Sequence, residues 1–225
     1  MRVRVLWVFV LAIALMFAAG LGVRWQSHGS VDGLYAALSL FLSINLLICY
    51  WEACLFLRRD YIERRFEHWR KRRKETGRIP AFEFLGTKIS LRQMVSPTLW
   101  ADVWATYSLH DASFADRRTY GFNVDTANGF ATLIPTAVLY AAYTVEFLPA
   151  VVAGMIGLMI FWQWTYMTSV YMASFFIAKR HLSLGRKELA IAILAVNSPW
   201  ILFPLLGLYV SIRLILDGDY RVLSV

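Results

Sequence analysis

Charged side chains are scarce in this sequence. They make up 17% of its 225 residues, against 59% hydrophobic ones, whereas a soluble domain is about 25% charged. The shortage excludes an ordinary soluble module, because the apolar residues are not dispersed as a globular core would disperse them. They fall in runs long enough to cross a bilayer, about 20 residues each. Cysteine is nearly absent too. Cys49 and Cys54 lie five apart in one apolar run, so they point to different faces of one helix and read as small packing residues, not a bridge. The histidines His28, His68, His110 and His181 are scattered. No H-x-x-x-H or H-x-x-H-H box is formed, which excludes a histidine-rich di-iron centre. Gly-rich phosphate loops, a G-x-S-x-G elbow, low-complexity tracts and internal repeats are also lacking. No cofactor and no metal site are expected.

Five apolar stretches remain. The first runs about Val5 to Val23, after Arg2 and Arg4. With its basic start and Ala18-Ala19-Gly20 it resembles a signal peptide, but the apolar run is longer than a usual signal core, which argues against cleavage. The others run about Gly33 to Leu57, Thr119 to Val145, Pro149 to Ala178 and Glu188 to Leu216. The predicted fold class is an all-α membrane protein of five transmembrane helices. Its segments are an N-terminal helix and outer loop (1–32), a four-span bundle (33–216) that includes a basic inside loop (58–118), and a short outer tail (217–225).

Charge orients the chain. Lysine and arginine cluster before the first span, between the second and third (Arg58 to Arg118), and between the fourth and fifth (Lys179, Arg180, Arg186, Lys187). Of lysine and arginine the alternate connections hold only Arg24, and the tight turn before Pro149 carries Glu146. The positive-inside rule then predicts the N-terminus inside and the C-terminus outside. The net charge of +8 is on this reading a topology signal, and no nucleic-acid partner is expected.

The inside loop is patterned. Ile62, Phe66 and Trp69 recur at i, i+4 and i+7 among arginines, which predicts a basic amphipathic helix over 58–78 suited to an anionic membrane surface, or a solvated extension of the second span. Gly77 and Pro80 end it. Ser96-Pro97 announces a second helix, with Leu99, Trp100, Val103, Trp104 and Tyr107 as an apolar stripe lying at the interface.

The costly residues are polar ones inside the spans. Asp125, Asn128, Thr132 and Thr136 recur at i, i+3, i+7 and i+11, one face of a helix. A carboxylate near a span centre costs on the order of 3 kcal/mol. At about 1.5 Å per residue, Glu52 and Asp125 both lie about 10 Å to the inner side of the midplane, and Asn197 about 6 Å. Asn45, Gln163 and Trp200 fall near the midplane. The expectation is an inward-placed cavity with Asp125 and Glu52 on its walls. Plainer roles stand beside it: Asp125 clasped to Arg117 or Arg118, Glu52 paired with Arg58 or Arg59, and Asn197 as interhelical glue.

Trp104-x-x-Tyr107-x-x-x-Asp111 followed fourteen residues on by Asp125, and Asn197-x-x-Trp200-x-x-x-Pro204, resemble the motifs of the EXPERA domain, the emopamil-binding protein family of sterol isomerases, the sigma-2 receptor and related lipid handlers. The resemblance covers roughly 35–215. It implies a one-plus-four helical bundle with an intramembrane pocket for a sterol-like, isoprenoid or other lipid ligand. Asp125 then stands where the family has glutamate, as base or cation partner, with Glu52 as the acid of a double-bond isomerase. Asn197, Trp200, Asn45, Asn128 and Gln163 would line the ligand site. The H-x-x-x-E pair of the isomerases is not kept: Asn45 and Cys49 occupy those positions. The family also places its W-x-x-Y-x-x-x-D loop on the other side of the membrane. The alternative expectation is a non-catalytic accessory subunit of a membrane complex, docked to partner subunits through the long basic loop. An ion-coupled transporter is weaker, because five spans do not divide into matched repeats.

Overall fold

The computed structural model describes residues 2–224; Met1 and Val225, the outermost ends of the segments 1–32 and 217–225, lie outside it. The described chain is helical almost throughout. In order come β1 (Arg2–Arg4), α1 (Val5–His28), α2 (Gly33–Leu57), α3 (Arg59–Thr76), α4 (Pro80–Gly86), β2 (Lys88–Ser90), α5 (Pro97–Tyr107), α6 (Tyr120–Ala131), α7 (Leu133–Val145), α8 (Ala150–Ile177), α9 (Arg186–Glu188) and α10 (Pro199–Asp217). Four helical stretches are long and apolar enough to cross a membrane: α1, α2, α8 and the continuous run Arg186–Asp217. This fits a helical membrane protein.

The stretch from Thr119 to Val145 is not one helix. It divides at Thr132 into α6, of 12 residues, and α7, of 13. Pro135 supplies the reason. It has no N–H to give the carbonyl of Ala131, and its ring crowds that carbonyl. The run Arg186–Asp217 is irregular as well, with a π-helix over Leu189–Ala195 ahead of Pro199, the first residue of α10. A proline at that position has no donor for the turn before it.

The chain forms two compact units. The first holds the residues up to Ala12, Ile48–Phe130 and Ser174–Leu194; the second holds Ile13–Leu47, Ala131–Ala173 and the residues from Ala195 onward. All lysines and arginines except Arg24, Arg213 and Arg221 belong to the first.

In the first unit, the loop between α2 and α6 is folded on itself. The apolar face of α3 is covered within the unit: Ile62 and Trp69 are buried, and α3 packs chiefly on α5. Gly77, with a φ of 67°, closes α3 in the left-handed conformation that glycine takes without steric cost. The interfacial stripe expected of α5 is likewise covered. Trp100 and Trp104 are buried, Trp100 stacks on Trp51 of α2, which Phe9 of α1 also contacts, and the Trp104 indole donates to the Trp51 carbonyl at 2.7 Å. The fulcrum is Asp102, 7% exposed. Its carboxylate accepts from Arg65 Nε and Trp69 Nε1, each at 2.8 Å, and from the Tyr61 hydroxyl at 3.1 Å. Burial, then the Asp102 charge, holds the Tyr61 phenol above its ordinary range. An unexpected two-stranded antiparallel sheet pairs Arg2 with Ser90, Val3 with Ile89 and Arg4 with Lys88.

In the second unit, Tyr35, Leu38, Phe41, Leu42, Phe161, Trp164, Val210 and Leu214 form the core. Gly207 lets α10 approach α8 closely, since a Cβ there would sit 2.5 Å from the Phe161 ring. The tail 217–225 is not a loose end over its described part. Tyr220 and Leu223 are buried, and Arg24, 1% exposed, donates to the Leu223 carbonyl, the Ser224 hydroxyl, the Tyr143 carbonyl and Glu146 at 2.7–3.0 Å.

Replacing Asp102 by alanine strands one buried indole N–H, a phenol and a guanidinium. It should cost about 2–4 kcal/mol, at about 1–3 kcal/mol per orphaned buried group. Thermal unfolding in detergent, together with faster proteolysis within 59–107, reads this loss; an unchanged melting temperature would remove Asp102 as the fastener of α3 to α5.

Candidate functional site

Two buried polar clusters are formed by the helices, one in each unit. The first rests on Glu52 of α2 and on Asp125 and Asn128 of α6. Glu52 is 4% exposed, and both its carboxylate oxygens accept from Asn128 Nδ2, at 3.0 and 2.8 Å. Gly129 makes this contact attainable. A Cβ on it would meet Glu52 Cβ at 2.6 Å and the Ala53 nitrogen and Cys49 carbonyl at 2.9 Å, so only a glycine lets α6 approach α2 this closely. Asp125 lies one turn before Asn128 on the same helix and is half-buried. It is near enough to Glu52 and to Asp111 for their charges to be felt.

The bland pairings expected for these acids do not form. Arg117 is engaged by Asp60 and Glu63, and Arg118 by Asp116. Arg58 donates to Thr98 and Arg59 to the Phe56 carbonyl, so neither reaches Glu52. Asp111 is held by Arg180, whose Nη1 lies 2.8 and 2.9 Å from its two carboxylate oxygens. Of the 15 acidic residues, Asp125 is the one whose side chain makes no hydrogen bond or ion pair among the described residues. Its acceptor capacity is unspent among the described residues.

The second cluster rests on Asn45. This side chain is wholly buried; it accepts from Trp200 Nε1 at 3.0 Å and donates to Thr136 Oγ1 at 3.4 Å. Phe41 stands edge-on to Trp164 and Trp200 and stacks on Phe203 at 5.4 Å. Gln163 and Asn197 are half-buried, the first on α8 and the second between the π-helix and α10.

The polar face read as continuous over Asp125, Asn128, Thr132 and Thr136 is therefore interrupted. The break at Thr132 leaves the first two with the first unit and the last two with the second. Glu52 and Asn128 come together, as do Asn45 and Trp200, and the two pairs belong to different units. An open depression of about 570 Å³ in the second unit is lined by Asp32, Tyr209, Arg213, Asp217 and Arg221, residues of neither cluster.

Several residues that organise this region carried no sequence signal strong enough to single them out. Asp111 stands out in the sequence only as the end of the W-x-x-Y-x-x-x-D motif; it caps the turn Ala112–Ala115 through the Ser113 N–H and pairs with Arg180, 69 residues on. Glu188 receives His110 at 2.6 Å and Arg73 at 3.0 Å. Arg72 of α3 holds the carboxyl of Glu83 in α4 below its ordinary range through a direct hydrogen bond. Pairing of opposite charges more than ten residues apart has no periodic signature.

The chain matches no family model, no curated protein and no solved structure. Among the described residues, no group of three or more His, Cys, Asp or Glu could hold a metal ion.

Asn128→Leu removes the donor that answers Glu52 and should cost about 1–3 kcal/mol. A Glu52→Leu/Asn128→Leu double variant should recover most of that, because apolar replacement of both partners leaves nothing unsatisfied. A thermal-unfolding double-mutant cycle reads the coupling, and strict additivity would show that the bond does not fasten α2 to α6.

Proposed function

We propose that this protein is a five-span membrane protein, N-terminus inside and C-terminus outside, that binds an amphiphile carrying a protonated amine or a hydroxyl at Asp125. The sterol-like, isoprenoid and related lipids implied by the EXPERA resemblance are the candidate ligand class. The observation that carries the reading is the state of Asp125: a carboxyl on α6, one turn from the Asn128 that answers Glu52, with no hydrogen bond or ion pair of its own among the described residues. An ionisable group in such a place is retained when a ligand, cavity or partner answers it.

The topology is supported by the lysines and arginines, which gather before α1, between α2 and α6 and after α8, in alternate connections. On this reading α6 and α7 together make the third span, a broken helix of the kind that transporters and other membrane proteins use to bring backbone and polar side chains into a site. Binding is proposed in preference to isomerisation. Glu52 has both oxygens directed at Asn128, and Asn45 and Cys49 stand where the family's acid pair is expected.

One observation favours a second reading, a non-catalytic accessory subunit. On α8, Met155, Met159, Trp162 and Tyr166 are all exposed at helical spacing, with the last two rings stacked at 6.1 Å. Such a stripe suits a neighbouring membrane helix as well as lipid.

A cationic amphiphile, such as an amine-bearing sterol analogue, should bind the purified protein, and Asp125→Asn should weaken it by about tenfold or more, since 1.4 kcal/mol corresponds to tenfold in affinity. Unchanged affinity would take Asp125 out of the site. Purification in mild detergent separates the two readings: lipid recovered with a lone protein supports the first, a stoichiometric protein partner the second.

A further inference from the structure

The segment after α4 is built unlike a cytoplasmic loop. Leu91 and Val95, in the 3-10 turn Leu91–Val95, are 56% and 76% exposed. The backbone beside them is fastened to the inner part of the second span. Tyr50 of α2 donates its hydroxyl to the Val95 carbonyl at 2.8 Å, and the Trp100 indole, stacked on Trp51, donates to the Met94 carbonyl at 2.7 Å. Tyr50 precedes Arg58, the first basic residue of this stretch, by eight residues, or about 12 Å along the helix. If α2 spans the membrane, a turn held there has little water to satisfy its carbonyls. It must find donors in the protein, as irregular backbone at membrane depth does, and here a phenol and an indole supply them.

The neighbouring sheet adds a charge argument. β1 leads directly into α1, and the Val5 N–H donates to the Thr87 carbonyl at 3.0 Å. In the β1–β2 register Arg4 is directly opposite Lys88, and Arg2 is opposite Ser90. Directly paired residues share one face of a sheet, so this face carries three exposed cations, and Arg92 follows on the adjoining turn. None of the four has an ion-pair partner among the described residues, whereas the cations of α3 near α4 and α9 are paired with Glu83 and Glu188. Like charges placed directly opposite destabilise a strand pair unless an anion lies over them.

We infer that the β1–β2 sheet and the turn after it form a membrane-seated anionic-phospholipid site, with Leu91 and Val95 inserted among the inner-leaflet acyl chains and Arg2, Arg4, Lys88 and Arg92 bound to headgroup phosphates. Apolar insertion beside a basic cluster is the combination that retains a segment at an anionic interface. The site is separate from the Asp125 cluster and does not depend on its ligand. The basic surface expected over 58–78 is thereby narrowed: α3 turns its apolar face to α5, and the lipid-facing role passes to residues outside that range.

The test uses the full chain in two arms. In nanodiscs, Leu91→Cys and Val95→Cys are labelled with a polarity-sensitive fluorophore, with the unsubstituted protein, whose Cys49 and Cys54 are buried, as the labelling control. Phospholipid brominated near the glycerol end of its acyl chains should quench both probes; absence of quenching, or shielding seen only in native membranes and not in nanodiscs, would overturn the inference in favour of water or a protein partner. In detergent, native mass spectrometry compares phosphatidylglycerol with phosphatidylcholine of the same chains. The anionic lipid should be retained preferentially, and Arg4→Gln/Lys88→Gln/Arg92→Gln should reduce that preference about tenfold or more, at roughly 1 kcal/mol per cation. Arg64→Gln/Lys74→Gln, on the exposed side of α3, should leave it intact. An equal loss in both variants would reduce the effect to net charge and overturn the site.

Discussion

A carboxylate withdrawn from water must be answered by donors, and the fold is organised by how that demand is met. Asp102 draws Tyr61, Arg65 and Trp69 of one helix onto another. Asp111 draws in Arg180, and Glu188 draws in His110 and Arg73, so the connection after α8 is fastened to the loop that precedes α6. Glu146, with two backbone carbonyls, holds the buried Arg24. Each arrangement joins residues distant in sequence, and each would leave an uncompensated group if one side were removed. Against that pattern Asp125 stands out by contrast. Its neighbours are already committed to one another, and its own acceptor capacity is unspent.

Proline sets the second constraint. A missing N–H at Pro135 divides what the apolar run would otherwise continue, and Pro199 follows a widened π-helix. These are the two places where helical regularity fails inside the long apolar stretches, and polar side chains flank both. Asn128, Thr132 and Thr136 lie around the first, and Asn197 adjoins the second. Broken helices turn backbone groups and short polar side chains toward one another, which a continuous apolar helix cannot do.

Much of the secondary structure was legible from local rules. Gly77 closes α3 and Pro97 opens α5, each through a single-residue conformational preference, whereas Pro80, expected only to end a helix, also opens α4. The runs at Val5, Gly33 and Pro149 became long helices because nothing within them interrupts hydrogen bonding. The third run, expected as one span, divides at Thr132 because Pro135 withholds the N–H that would continue the helix. The candidate site was half legible. Asp125, Glu52 and Asn128 were flagged by the cost of burying them, but a helical wheel over 125–136 assumes one helix and so put four residues on one face that the break divides. Which of Glu52 and Asp125 would be answered by Asn128 could not be read, because that depends on Gly129 admitting the backbone of α2.

Composition and periodicity alone determined that this chain is a bundle of apolar helices with its cations gathered in alternate connections. Those properties follow from transfer free energy and from the 3.6-residue repeat, which are local. The tertiary structure alone decided that the apolar faces of α3 and α5 cover each other, that the first strand pairs with a segment more than eighty residues away, and that Asp125 keeps its carboxyl without a hydrogen bond or ion pair among the described residues. These outcomes rest on which surfaces meet, and the pairing of distant surfaces is settled by packing and by the satisfaction of buried polar groups together, not by any stretch of sequence read by itself.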